Sequence, residues 1–306
     1  MLGGTIRVDH GRVGRGHVDH GGVRAEHPGA GPLDDVELAT LGARWVRRWD
    51  GWAHWELTFG MLVLAAAAVA VDVATAWAGW NLGYIGRFPV SLALPGAVLL
   101  VLWLGAGAVG LSGVALLRWR EFAVGAAVLV PVVVTGYVGR AGTSEDAIGL
   151  LVAAVGEELV YRFALLLLVG AVAARLLGRD WRRPARWGNG PGAAALVVAG
   201  VVFSLLPGHV AQMHAPISTL PFASLSVVLG WAVLRTGVLW PVIITHVVLN
   251  LATFGSAAGG ISAAARVAIC LTALVGLLVG ADLAGRRAGN LRTVPTTIDL
   301  TAISDS

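Results

Sequence analysis

The sequence predicts an all-α fold: a polytopic membrane protein built as a bundle of about eight transmembrane helices, with both termini in the cytoplasm. Two observations lead to this prediction. First, 57% of the 306 residues are hydrophobic and only 13% are charged, and the mean hydropathy is +0.77, which is too apolar for a soluble domain of this length. Second, several nearly charge-free runs reach about 18 residues or more, long enough to cross a bilayer as a helix.

The composition also excludes other classes of protein. A membrane β-barrel would alternate polar and apolar residues in short segments, which these runs do not. The pI of about 10.2 could indicate nucleic acid as a partner, but all 22 basic residues are arginines, and they lie mainly in short loops between apolar runs. There they more naturally set the orientation in the membrane, so no nucleic-acid partner is expected. Cys270 is the only cysteine, which excludes a disulfide within the chain.

The N-terminal region divides into two segments. Residues 1–40 are polar, rich in glycine and without hydrophobic periodicity, which is typical of a disordered tail, here a cytoplasmic one. Its four histidines could bind a metal weakly, although a flexible solvated tail explains them more simply. Residues 41–56 contain four tryptophans interleaved with arginines. They fit either a short helix at the cytoplasmic membrane surface or an aromatic belt at the start of the first span.

The membrane domain is predicted at 57–288, with a cytoplasmic tail at 289–306. Its eight spans are expected at 57–77, 90–117, 122–139, 147–177, 191–211, 219–235, 238–256 and 263–284. Arginines concentrate in the loops that follow the second, fourth, sixth and eighth spans. By the positive-inside rule these loops face the cytoplasm, which places both termini there in a multi-pass protein of the plasma membrane.

The fourth span contains three ionisable residues where such groups are costly. An ionised side chain at the centre of a bilayer costs at least about 2.5 kcal/mol, so it normally faces the bundle interior and has a partner. Glu158 and Arg162 are four residues apart and would form an ion pair on one helix face. Glu157 points about 100° away from Glu158. It therefore either protonates or finds a partner on another helix.

Three polar residues downstream are candidates for that partner. His209 lies near the outer end of the fifth span, and His246 and Asn250 share one face of the seventh. A carboxylate at membrane depth can take a proton from water, imidazoles can hold that water or a metal, and a carboxamide can donate to an oxyanion. The set describes a hydrolase that works inside the membrane. Glu157, His209 and His246 are also adequate ligands for Zn²⁺. The residue types alone do not decide between a metal-free hydrolase and a zinc-dependent one.

Two motifs carry a resemblance to a known family. The sequence "EELVYR" fits the EExxxR motif of the CPBP family of intramembrane proteases, which includes the CAAX prenyl endopeptidases and the Abi (bacteriocin-immunity) proteins. The stretch "LRTGVLWPVIITHVVLN", residues 234–250, resembles that family's HxxxN motif. The resemblance covers about 145–256. It departs from the usual FxxxH motif, because Phe203 precedes His209 by six residues, and Pro207 with Gly208 is expected to break the helix between them.

The resemblance implies a role for each matching residue. Glu157 would be the base that activates water, and His209 would share that water or a metal. His246 and Asn250 would complete the site or stabilise the oxyanion, with Glu158 and Arg162 as supporting residues. The cofactor stays open between Zn²⁺ or another divalent metal and a metal-free glutamate mechanism. The substrate would be a membrane protein or membrane-associated peptide, and the Ala-, Gly- and Arg-rich composition indicates a bacterial source, where prenylated substrates are not expected.

Two rival functions remain beside an intramembrane endopeptidase. The same polar residues could relay protons or bind a cation in a transporter, although no internal repeat supports that. Alternatively, the chain could be a non-catalytic immunity or scaffold protein on the same fold. Outside these motifs, Asp72 near the outer end of the first span is expected to be an interface or inter-helix residue rather than a catalytic one.

Overall fold

The computed structural model describes residues 56–105, 110, 113–211 and 216–290. The predicted tail at 1–40 lies outside the described residues, as do the segment 41–56 apart from Glu56 and the C-terminal tail from 291 onward. The predictions made for these segments stay predictions.

The described chain is helical apart from one short β-hairpin and the connecting turns. In chain order the elements are α1 (Phe59–Ala78), β1 (Gly83–Ile85), β2 (Phe88–Val90), α2 (Leu94–Leu104), α3 (Gly113–Arg118), α4 (Arg120–Tyr137), α5 (Ser144–Glu157), a π-helical segment (Glu158–Leu165), α6 (Leu166–Leu176), a 3₁₀ turn (Pro184–Arg186), α7 (Asn189–Ser204), α8 (Pro207–Val210), α9 (Pro216–Thr236), α10 (Trp240–Ala257) and α11 (Ala263–Asn290).

Local sequence explains where several of these helices begin. Thr58 accepts a hydrogen bond from the Met61 amide at the start of α1, which satisfies one of the amides that a helix leaves unpaired at its first turn. Helices α2, α8 and α10 each have a proline within their first two residues, where the missing amide hydrogen costs nothing. These starts agree with the predicted spans to within a few residues for α1 and α10.

Several helices are suited to a membrane. In the part of the chain that the structure describes, five helical stretches are long and apolar enough to cross one: Phe59–Ala78, Arg120–Tyr137, Ser144–Leu176, Trp240–Ala257 and Ala263–Arg287. Three shorter apolar helical stretches accompany them: Leu94–Leu104, Asn189–Ser204 and Ser224–Thr236. The chain therefore has the architecture of a multi-pass helical membrane protein, while the number of eight crossings and the orientation of the termini stay predictions.

A short β-hairpin adds to the helical fold that the sequence predicted. Strands β1 and β2 pair in antiparallel fashion, with Gly83 opposite Val90 and Ile85 opposite Phe88. Each strand has only three residues, too few for the polar–apolar alternation by which a strand is recognised in a sequence. Gly86 in the turn has a φ of +58°, in the left-handed region that glycine adopts without strain.

Helix α5 holds the hairpin in place. The amide and Nε of Arg87 donate to Oδ1 of Asp146 at 2.9 and 3.2 Å, and Nη2 of Arg87 donates to the Tyr137 hydroxyl at 3.2 Å. These contacts raise the pKa of the Arg87 guanidinium above its ordinary value. Gly149 lies so close to the hairpin that a Cβ there would stand 2.2 Å from the Ile85 carbonyl oxygen. The hairpin is therefore docked on α5.

One long helix forms the centre of the bundle. Helix α5, the π-helical segment and α6 run on without a break from Ser144 to Leu176, which agrees with a long fourth span predicted at 147–177. All eight residues of the π-helical segment are buried, and the segment packs against α1, α2, α7 and α9. Short π-helical stretches inside α-helices occur frequently at functional sites. This one begins at the second of the two adjacent glutamates.

Candidate active site

The four residues predicted to be catalytic line one cavity. Glu157 lies at the end of α5, His209 on the short helix α8, and His246 and Asn250 on α10. The cavity has a volume of about 380 Å³ and includes side chains from all four positions. Residues that are far apart in the sequence are thus brought together as the motifs predicted.

Two imidazoles face the same carboxylate oxygen. Oε2 of Glu157 lies 3.5 Å from Nε2 of His246 and 4.0 Å from Nε2 of His209. This oxygen is itself buried and makes no hydrogen bond within the described protein, although 29% of the Glu157 side chain is exposed. A buried polar atom without a hydrogen bond is costly and marks a place where a polar ligand or reacting group belongs.

His246 lies between the two adjacent glutamates. Its Nδ1 donates to Oε1 of Glu158 at 2.7 Å, and its Nε2 is the nitrogen that faces Glu157. Glu158 is fully buried and His246 nearly so. A carboxylate that accepts from one ring nitrogen fixes both the orientation and the tautomer of the imidazole. Glu158 therefore positions His246, a role more specific than the supporting one that the family resemblance implied.

Arg162 contacts three elements. Its Nη1 lies 3.5 Å from Oε1 of Glu158, so the ion pair expected from the spacing of four residues is present. Its Nη2 donates to the Ser226 hydroxyl on α9 at 3.2 Å, and the guanidinium stands 3.6 Å above the ring of Phe203 on α7. A buried charge needs such partners, and here they tie the central helix to α7 and α9.

His209 reaches the site through a break in its helix. Helix α7 ends at Ser204, Leu206 is extended, and α8 starts at Pro207, as the Pro-Gly pair predicted. The turn brings the His209 ring onto the Phe203 ring, with 4.1 Å between centroids, and Nδ1 of His209 donates to the Phe203 carbonyl at 2.6 Å. Phe203 and His209 therefore meet despite their six-residue spacing.

Asn250 follows His246 by one helical turn. Both residues line the cavity, which agrees with their predicted place on one face of the helix. Asn250 is half-buried and lines the same cavity as Glu157.

Asp72 and Tyr161 form a polar contact that the sequence did not pair. The Tyr161 and Ser91 hydroxyls both donate to the Asp72 carboxylate, which joins α1, the segment after the hairpin and the π-helical segment. Tyr161 packs edge-on against Phe203 at 5.4 Å between centroids, and Phe203 holds His209. The expected inter-helix role of Asp72 is therefore observed, and Asp72 also lines the cavity. In the sequence, the signal for this contact was a lone Asp within an apolar span.

We expect Asp72→Ala to lower the free energy of unfolding by about 1–3 kcal/mol, because the buried Tyr161 hydroxyl and the half-buried Ser91 hydroxyl lose their acceptor. The measurement is denaturant unfolding of the purified protein in detergent. Asp180→Ala is the control, since its contacts with Arg183 and Arg186 are long and exposed, and such pairs contribute about 0–1 kcal/mol. Equal midpoints for Asp72→Ala and Asp180→Ala would contradict this role.

The arrangement of the side chains bears on whether the site holds a metal ion. Among the described residues, no three His, Cys, Asp or Glu side chains are arranged to hold a metal ion. The set of Glu157, His209 and His246 as metal ligands therefore stays a prediction, and we assign no step of the reaction to a metal.

Comparison with known proteins agrees with the motifs. Residues 146–252 match the family model described as type II CAAX prenyl endopeptidase Rce1-like, a region that contains all the predicted site residues. It lies within the predicted protease-like core at 145–256. Neither the curated proteins nor the solved structures yielded a match. This match supports the resemblance of the central region to the CPBP/CAAX family of proteases.

Proposed function

We propose that this protein is an intramembrane endopeptidase that hydrolyses a peptide bond of a membrane-associated protein or peptide. One observation carries the proposal. In a cavity lined by Asn250, the Nε2 atoms of His209 and His246 both face Oε2 of Glu157, a buried oxygen without a hydrogen bond in the described protein. A scaffold protein has no need of three such polar groups converging in an apolar bundle.

The residues support a hydrolysis in two steps. A water molecule beside Oε2 of Glu157 gives a proton to that carboxylate while its oxygen forms a bond to the substrate carbonyl carbon. The Phe203 carbonyl holds His209 at Nδ1, so Nε2 of His209 can accept a hydrogen bond from the other hydrogen of the water. The carbonyl oxygen becomes an oxyanion, and the Asn250 amide is the donor suited to stabilise it. The carbon–nitrogen bond then breaks as Glu157 returns the proton to the leaving amine.

The cofactor is a separate part of the proposal. A divalent metal, if held by Glu157, His209 and His246, would supply a more acidic water and polarise the carbonyl. Metal analysis of purified wild-type protein and His209→Ala separates the two versions. One ion per chain that is lost in the variant supports the metal version, whereas cleavage that persists in chelator without bound metal supports Glu157 alone.

The experiment that tests the function is terminal-peptide mass spectrometry. Membranes are compared from cells that make wild-type protein, Glu157→Ala or no protein, after both proteins are shown to insert. A new terminus found only with wild type supports the endopeptidase and identifies a substrate. Identical termini in all three samples would contradict it and favour the scaffold function, with proton or cation flux in sealed vesicles as the next assay.

The orientation of the protein in the membrane is also part of the proposal. With both termini in the cytoplasm, the loop after the seventh predicted span lies outside the cell and the loop after the fourth lies inside. In a Cys270→Ser background, we expect a membrane-impermeant maleimide added to intact cells to label Ala258→Cys but not Arg182→Cys, both at exposed positions. Lysis should make both react. Labelling of Arg182→Cys alone in intact cells would reverse the orientation.

A further inference from the structure

We infer that a groove between α4, α10 and α11 binds an anionic phospholipid, with one acyl chain in the groove and the phosphate at a cluster of arginines at its end. This groove and the active-site cavity have no lining residue in common. The inference concerns lipid binding rather than catalysis, so it does not depend on the proposed function.

The groove runs lengthwise along the helices. It is lined from residue 121 to 129 of α4 and from 272 to 283 of α11, and α10 contributes Ile244. At about 1.5 Å per residue, these two stretches are about 12 and 16 Å long. One leaflet supplies about half of a hydrocarbon core that is about 30 Å thick. The groove therefore has about the length of an acyl chain in one leaflet.

Two glycines keep the groove open. Gly125 of α4 and Gly276 of α11 both line it, and a Cβ at either position would meet no atom of the described protein within 4 Å. The volume of about 220 Å³ is below the ~300–1,000 Å³ of pockets that enclose whole drug-sized ligands. The groove therefore suits one chain of a lipid rather than the whole molecule.

Arginines gather at the end of the groove where Glu121 lies. Nη1 of Arg287 donates to Oε2 of Glu121 at 2.6 Å and to the Arg118 carbonyl at 2.9 Å. Nε of Arg120 donates to the same carboxylate at 2.9 Å. Three arginines therefore accompany a single carboxylate here.

The next carboxylate at this end is also outnumbered. Asp282 accepts from Nε of Arg286 at 2.7 Å and lies 3.9 Å from Nη2 of Arg235. The described residues of this arginine cluster are thus five arginines and two carboxylates, a net charge of +3. The side chains of Arg120 and Arg286 are 70% and 73% exposed, so both are free to meet a phosphate. Basic sites between transmembrane helices bind the head groups of anionic lipids.

Hydrogen-bond donors at the same end lack acceptors. Nε of Arg118 and the Nε1 atoms of Trp119 and Trp240 are buried and make no hydrogen bond within the described protein. Both indole rings pack against Phe122, which lines the groove, at 5.5 and 5.6 Å between centroids. Buried polar groups normally have a partner, and phosphate oxygens are strong acceptors. These donors point to a ligand that carries acceptor oxygens.

A second transmembrane helix fits this face less well than a lipid chain. Gly276 and Gly280 are four residues apart on α11, the spacing at which glycines let two helices approach closely. However, a Cβ at Gly280 would lie 2.8 Å from Cζ3 of Trp119, so the chain itself already covers that position. The space that stays open is therefore too narrow for a helix.

Photolabelling with lipids tests the site. Full-length protein in phosphatidylcholine proteoliposomes receives a trace of phosphatidylglycerol whose acyl chain carries a diazirine, and the labelled residues are mapped by mass spectrometry. The reference probe has the same chain on phosphatidylcholine. Wild type should be labelled mainly at 121–129 and 272–283, and at least about tenfold more by the phosphatidylglycerol probe, because its charge is attracted to the arginine cluster.

A groove-filling variant tests where the chain lies. Gly125→Leu combined with Gly276→Leu places two side chains in open space and should abolish the label in the groove. Gly136→Leu is the control, since Gly136 is also on α4 and a Cβ there would meet no atom within 4 Å, but it lies outside the groove. It should keep the wild-type label.

A charge variant tests where the head group lies. Arg120→Gln combined with Arg286→Gln should reduce the preference for phosphatidylglycerol by about tenfold or more. Arg183→Gln combined with Arg186→Gln removes the same charge from exposed side chains outside the arginine cluster, and it should keep the preference.

Three results would overturn the lipid site. The first is equal labelling by the two probes, or labelling of Phe59–Ala78 as strong as that of the groove. The second is an unchanged label in both double variants, folded as single species in size-exclusion chromatography. The third is a wild-type dimer in lipid-free detergent that Gly125→Leu with Gly276→Leu dissociates, which would assign the groove to a second copy of the chain.

Discussion

Replacing Glu157 with glutamine is expected to lower the rate of peptide cleavage by about 10²- to 10⁴-fold, the usual contribution of a general base. Glutamine keeps the size of the side chain but cannot accept a proton from water. Both histidines still face position 157, so binding of the substrate should change little and the loss should fall on kcat. The measurement is the rate of cleavage of an identified substrate by purified protein in proteoliposomes.

Glu145→Gln is the matched control for this prediction. Glu145 lies on the same helix, in its first turn, and is exposed. We expect Glu145→Gln to keep the wild-type rate, since it stands about three helical turns from Glu157. A similar loss of rate in both variants would mean that removal of any acidic charge from α5, rather than loss of the base, explains the effect.

The second large effect, on both stability and cleavage, is expected when Glu158 is replaced with glutamine. Its carboxylate contacts Arg162 at 3.5 Å and His246 at 2.7 Å, and all three side chains are buried. Glu158→Gln leaves Arg162 without its counter-ion, and breaking a buried ion pair costs about 3–5 kcal/mol. We expect the midpoint of denaturant unfolding to fall accordingly, and cleavage to fall as well, because a neutral amide oxygen replaces the charged acceptor that orients His246.

A double variant separates these two consequences. Glu158→Gln combined with Arg162→Met removes both charges, so that no unpaired ion stays buried. Stability should therefore recover in part, while cleavage stays low because His246 still lacks its charged acceptor. Recovery of both stability and cleavage would show that Glu158 acts only through the ion pair.

Much of the helical framework could be predicted from the sequence. Helix α1 occupies Phe59–Ala78 where the sequence predicts 57–77, and α10 occupies Trp240–Ala257 where it predicts 238–256. Long charge-free runs define such helices, because the bilayer demands both length and apolarity. The span expected at 90–117 is different, since α2 ends at Leu104 and α3 starts only at Gly113. Apolarity continues there, but the four glycines between 105 and 113 disfavour a helix, a signal that the predicted span did not use.

Helical periodicity predicted contacts within one helix, whereas the convergence of Glu157, His209 and His246 was predicted only from their residue types and the family resemblance. The Glu158–Arg162 pair and the shared face of His246 and Asn250 follow from helical periodicity alone. The contact of Glu158 with His246 does not, because it depends on how α10 packs against the central helix. The π-helical segment was also missed, since a widened turn leaves no periodic pattern in a buried, largely apolar run.

Tertiary packing also explains the other contacts that the sequence did not predict. Asp72 was visible as a polar residue in an apolar span, but its partners Ser91 and Tyr161 come from other elements. The docking of the hairpin through Arg87 and Asp146 joins residues 59 positions apart. A single sequence carries no direct signal of such contacts.

The most direct test of intramembrane proteolysis is hydrolysis by the purified protein. Wild type, Glu157→Gln and Glu145→Gln are reconstituted in proteoliposomes with a substrate found from new termini in cells, in water enriched in oxygen-18. We predict cleavage by wild type and Glu145→Gln, one labelled oxygen in the new carboxyl terminus, and a rate lower by about 10²-fold or more for Glu157→Gln. Equal cleavage by folded Glu157→Gln, or none by folded wild type, would contradict the proposed mechanism.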